Sequence, residues 1–288
     1  MRISRRILQG QYRAARNTLL ALTAGSMMTV IICAQTPSSI VRYEPNGPGG
    51  AGLVGADSKT SARDDWKATS YYYYKSTLNP KVSSGIWETA NFHAPLHTTK
   101  STEFIHLLQG TITLADASGK EEVFHAGDNL LIPRGTEVQW KKTENVKEYW
   151  ALFDFVPAEE AAAASEGPQP TVIRLAPDGP AGKDLTAHGT TKSYKYLVCA
   201  DKSFVGVWET EPMTSPDFHS NKYTELMVFL SGKVTLSTPS GQAETFHAGD
   251  VALVPRGTQY KWSSDTARKF YAIFDFAPEG ASQAASGK

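Results

Sequence analysis

Read at an offset of 121 or 122 residues, the chain repeats itself. Gly85-Ile86-Trp87-Glu88-Thr89 returns as Gly206-Val207-Trp208-Glu209-Thr210, and Phe124-His125-Ala126-Gly127-Asp128 as Phe246-His247-Ala248-Gly249-Asp250. Leu131 to Thr136, LIPRGT, returns as LVPRGT from Leu253 to Thr258, and Phe153-Asp154-Phe155 as Phe274-Asp275-Phe276. Self-similarity of this kind requires two units of one fold. The stretch AEEAAAASEGPQP, residues 158–170, is rich in alanine and proline and reads as the linker between them. The expected organisation is a signal peptide over 1–34, a flexible lead-in over 35–65, a first domain over 66–157, the linker, a second domain over 171–278 and a tail over 279–288.

Within each copy the pattern predicts β-structure. Short apolar runs such as Glu103 to Leu108, Thr111 to Leu114, Asn129 to Ile132, Glu225 to Leu230 and Val234 to Leu236 are separated by glycine-containing turns, with no long helical period. Many short strands at close turn spacing point to a sandwich or barrel, so the expected fold class is all-β with two tandem domains.

The first 34 residues stand apart. Arg2, Arg5, Arg6, Arg13 and Arg16 precede an apolar run from Thr18 to Cys33, which is short of the roughly 20 residues a membrane span needs. That is the form of an export signal and predicts an exported, periplasmic protein with a cleaved signal. Removing residues 1–34 leaves 24 basic against 29 acidic residues, a net charge of −5, and Cys199 as the only cysteine, which excludes an internal disulfide. No basic cluster with interleaved aromatics lies beyond residue 16, so no nucleic-acid partner is expected.

Each copy also carries a histidine, a glutamate six residues on and a glycine seven further: His97, Glu103, Gly110, and His219, Glu225, Gly232. Gly127, Pro133 and Gly135, with Gly249, Pro255 and Gly257, follow. In these elements the chain resembles the cupin superfamily, which implies two tandem cupin domains, each a double-stranded β-helix or jelly roll. Trp87-Glu88, Trp208-Glu209, the Gly-Asp-x4-Pro-Arg-Gly run and the downstream Trp140 and Trp262 are similar to the (S)-ureidoglycine aminohydrolase-like group.

The resemblance implies a metal site built from two histidines one residue apart, the glutamate, and a third histidine after Pro-x-Gly. Here Thr99 and Asn221 take the second position, and Val138 and Tyr260 the third. Strand parity then places His97, Thr99, Glu103, Val138 and Trp140 in one pocket, and His219, Asn221, Glu225, Tyr260 and Trp262 in the other. The same parity turns Phe104, His106 and Leu108 outward, onto apolar faces that would pack copy on copy or build a homo-oligomer.

Two readings of function follow. In the first, His219, Glu225 and Asn221 hold one divalent metal, Mn²⁺ before softer ions, and Tyr260 or Lys222 assists proton transfer on a small polar molecule. In the second, the chain is a non-catalytic bicupin that binds a small ligand or serves a structural role, with Glu225 hydrogen-bonded to Tyr260 or Asn221.

Overall fold

The structure, a computed structural model, describes residues 39–53, 58–62, 67–155 and 170–277, all within the compact unit Gln35–Lys288. The expected signal peptide, the tail and all of the linker except Pro170 lie outside the described residues.

The first half contributes β1 (Val41–Tyr43), β2 (Ser58–Ala62), β3 (Lys67–Lys75), β4 (Ser83–Thr89), β5 (Ala94–Thr98), β6 (Thr102–Asp116), β7 (Glu121–His125), β8 (Asn129–Ile132) and β9 (Glu137–Phe153). The second contributes β10 (Ile173–Arg174), β11 (Thr186–His188), β12 (Thr191–Val198), β13 (Phe204–Thr210), β14 (Met213–Thr214), β15 (His219–Ser220) and β16 (Thr224–Ser231). It continues with β17 (Lys233–Ser237), β18 (Ala243–His247), β19 (Val251–Val254), β20 (Gln259–Ser264) and β21 (Ala267–Phe274). Each half folds as a jelly roll with its own apolar interior. Ile105, Leu107, Val138 and Trp140 lie in the first barrel; Met227, Phe229, Tyr260 and Trp262 lie in the second. These are the positions that strand parity turns inward.

Gly110 and Gly232 are the corners at which the chain passes from one face of each jelly roll to the other. Both hold positive φ, 84° and 83°, and a Cβ would lie 2.2 Å from the Glu144 carbonyl oxygen or 2.1 Å from that of Thr266. Only glycine meets both conditions, which accounts for its place in the repeated motif.

The outward faces meet inside the chain. Phe104, Leu131, Tyr149 and Phe153 of the first half share one buried cluster with Leu226, Leu253, Phe270 and Phe274 of the second. The equivalent residues Phe153 and Phe274 stack on each other, with ring centroids 5.5 Å apart and planes 6° from parallel. A local twofold axis therefore passes between them. His106 is buried in this layer, its Nδ1 2.9 Å from Asn129 Oδ1, away from either pocket. The outward faces thus pack copy on copy, one of the two uses expected of them.

Strands are also exchanged across the axis. β1 pairs with β19 at the edge of the second half's main sheet, and β10 pairs with β8 at the edge of the first's. The lead-in is thus not flexible throughout, since Val41–Tyr43 is hydrogen-bonded into a sheet. Arg42 lies over the Phe246 ring at 4.2 Å and reaches Glu244 and Asp250 at 3.4 and 3.0 Å. Arg174 lies over Phe124 at 4.1 Å and reaches Glu122 and Asp128 at 3.0 and 2.5 Å.

Candidate functional site

The second barrel holds an open cavity of about 310 Å³ whose lining includes Trp208, His219, Tyr223, Glu225, Tyr260, Trp262 and Lys269. Glu225 projects from β16 and Lys269 from the neighbouring β21. Their side chains meet as a buried ion pair, with Lys269 Nζ donating to Glu225 Oε1 at 2.7 Å. The ammonium also lies 3.1 Å from Met227 Sδ, 5.0 Å from the Trp208 ring centroid and 4.7 Å from that of Trp262. The two indoles meet edge to face at 5.4 Å, so the cation sits in an aromatic corner with a carboxylate against it.

Glu225 is therefore paired with neither Asn221 nor Tyr260. The Asn221 amide nitrogen donates to the Tyr260 hydroxyl at 3.0 Å, and the Asn221 carbonyl accepts from Gly257 N at 3.0 Å. His219 faces Tyr260 across the β15 and β20 ladder, ring centroids 4.3 Å apart, and is exposed to solvent. Burial, reinforced by the Glu225 charge, raises the Tyr260 hydroxyl far above the ordinary phenol range; the same two causes push Tyr223 up to about 12. Both are phenols at neutral pH, fit to donate a hydrogen bond and unfit to act as bases. Lys222 is exposed, its carbonyl accepts from Ala277 N at 2.7 Å, and it does not line the cavity; it is a turn residue.

A divalent metal does not fit the His219, Asn221 and Glu225 set. It would sit beside the Lys269 ammonium and compete with it for the same carboxylate, with one exposed imidazole and an amide already engaged with Tyr260 to complete its shell. The positive charge that a metal supplies is supplied here by the lysine.

In the first barrel Trp140 is buried against Phe92 and Trp87. Thr99 Oγ1 donates to Pro133 O at 2.7 Å and accepts from Thr136 N at 3.1 Å, which binds it into a turn, away from the pocket assigned to it by parity. His97 is exposed, with Nδ1 2.9 Å from Pro95 O. Glu103 remains partly exposed. A residue missed in the sequence, Glu148, lies on the neighbouring strand, 2% exposed, at the repeat position of Lys269 and within the electrostatic reach of Glu103. Charged residues at inward-facing positions of an interior strand were the available signal.

Among the described residues, Asp154, Cys199 and Asp201 bring ligand-type atoms within 4.8 Å of one another at the boundary between the halves. Asp154 is held by Arg134 at 3.1 Å, and burial pushes the Cys199 thiol up to about 12. Asp275, the twofold equivalent of Asp154, meets Arg256 at 3.3 Å and Ser76 at 2.6 Å, so the cluster has a structural counterpart across the axis.

The family of EutQ-like cupin domains matches the chain twice, over residues 79–149 and 200–271. A protein of unknown function of the DUF861 family from Pseudomonas syringae has a similar structure, with a TM-score of 0.56 and 20% identity over 82% of this chain and 99% of that one. The glyoxylate-induced protein from Pseudomonas aeruginosa has a TM-score of 0.50 and 14% identity over 76% of this chain and 84% of that one. At such identities the likeness is one of fold. No curated protein matches the sequence.

Proposed function

The chain belongs to the cupin superfamily, with one cupin domain in each half, and on that premise we propose that its second barrel is a metal-independent pocket for a small polar molecule. The carrying observation is the Glu225 and Lys269 pair in the cavity wall. One Glu225 oxygen is taken by the lysine; among the described residues nothing hydrogen-bonds the other. A ligand with a planar amide or ureido group and a carboxylate can donate to that oxygen and accept from the ammonium, while the indoles wall its apolar part. The resemblance to ureidoglycine aminohydrolase-like cupins leads to the same ligand class. The reading favours binding over the metal-dependent reaction.

Calorimetric titration of carbamoylglycine into metal-stripped protein tests it. Saturable binding that disappears in the Lys269→Met/Glu225→Gln double variant supports the pocket. A wild type that binds only after Mn²⁺ is restored, with stoichiometric metal lost in Glu225→Ala, overturns it. We propose further that residues 1–34 direct export and are removed. An intact mass from the cell envelope that still includes them would contradict removal.

A further inference from the structure

The two barrels differ in charge at one inward-facing position, glutamate in the first and lysine in the second. Glu103 and Glu148 occupy the repeat positions of Glu225 and Lys269. Trp87 and Trp140 occupy those of Trp208 and Trp262, the indoles that flank the Lys269 ammonium. In the first barrel these indoles meet edge to face at 6.4 Å, and Phe92 packs on both at 5.5 and 5.6 Å. The carboxylate and the aromatic walls are repeated, and the ammonium is not.

A second carboxyl stands in its place. Glu148 Oε2 is buried without a hydrogen-bond partner. Its strand turns it inward with Val146, while Tyr149 and Ala151 face the other half. Its neighbours across the sheet, Leu107 and Trp87, belong to the barrel interior. Burial raises both carboxyls, Glu103 to about 7, and the Glu103 charge adds to the rise at Glu148. A buried acceptor with no donor carries a cost that a cation with N–H groups removes.

We propose that the first barrel binds a primary organic ammonium ion, its N–H groups shared between Glu103 and Glu148 and its charge against Trp87 and Trp140. Lys269 is the internal counterpart of that ligand in the second barrel. An alkylammonium suits the site better than a metal ion, since its methylene stem can lie along the indoles and its three donors match the two carboxylates. The inference concerns the first barrel alone and stands apart from the reading of the second.

The probe is n-butylammonium, which reproduces a lysine side chain, titrated into the full chain at about pH 8 and followed by calorimetry and tryptophan fluorescence, with 1-butanol as the uncharged control. Saturable binding of the ammonium, at least about tenfold tighter than the alcohol, is expected. Glu148→Lys should install the second barrel's arrangement and weaken butylammonium binding by about tenfold or more; Glu148→Gln, the milder change, should also weaken it. The proposal is overturned if the alcohol binds as well as the ammonium. It is equally overturned if natively folded Glu148→Gln binds like the wild type, or if the wild type takes up stoichiometric Mn²⁺ or Ca²⁺ that butylammonium cannot displace.

Discussion

Replacing Lys269 with methionine keeps the carbon stem and removes the ammonium, leaving Glu225 charged and unpaired in the barrel wall. Loss of one member of a buried pair costs about 3–5 kcal/mol, so Lys269→Met should lower the urea midpoint sharply and Lys269→Met/Glu225→Gln should recover most of the loss. Glu103 and Glu148 give the first barrel a pH signature. Both ionise near 4.5 in the unfolded chain, but in the folded one Glu103 keeps its proton to about 7 and Glu148 is raised well above 4.5. The unfolded state then binds fewer protons, and stability falls as pH rises from about 4.5 through about 7. His106, lowered from 6.5 by burial, acts in the opposite sense, its contribution fading as pH drops below that value. Urea midpoints measured from about pH 5 to pH 8 should fall less in Glu148→Gln than in the wild type. Residue parity was legible in the sequence: Tyr260, Trp140 and Trp262 do lie among the inward-facing residues and Glu225 in the cavity wall, whereas Thr99, given the same direction by parity, is bound into a turn. The Glu225 partner was not legible, because Lys269 lies 44 residues away on a strand whose pairing no local pattern declares.

The exchanged strands carry a second repeat that the 121-residue offset conceals. Ile40-Val41-Arg42-Tyr43-Glu44-Pro45-Asn46-Gly47-Pro48 is answered by Val172-Ile173-Arg174-Leu175-Ala176-Pro177-Asp178-Gly179-Pro180, at an offset of 132. The spacing differs because the connection from each arm to its jelly roll differs in length, which is why the first arm reads as lead-in. Each arm covers a sheet edge whose backbone groups would otherwise be free to pair with another chain. Arg174→Ala removes two ion pairs and a cation–π contact at a partly exposed site and should cost about 1–2 kcal/mol. The loss should be local. Hydrogen exchange should quicken in β8 (Asn129–Ile132) while β19 (Val251–Val254) is unchanged.

With one apolar layer and two exchanged strands joining them, the halves lack independent edges and should unfold together. Calorimetry should show a single transition with equal calorimetric and van't Hoff enthalpies. Phe274→Ala, which empties one side of the stack on the twofold axis, should shift that transition down, costing about 3–5 kcal/mol, without splitting it. The duplicated jelly roll was legible in the repeat; the joining of its copies was not, since outward apolar residues fit an internal face and an external one equally well. The same twofold arrangement could be built by two separate identical chains, each lending its arm to the other. Such a pair would be bound to place the same residue at both equivalent positions, glutamate twice or lysine twice. Fusion into one polypeptide lifts that obligation, and the chain uses the freedom at one position: lysine in the second copy gives that barrel a cation of its own, while glutamate in the first leaves a buried carboxyl oxygen without a donor.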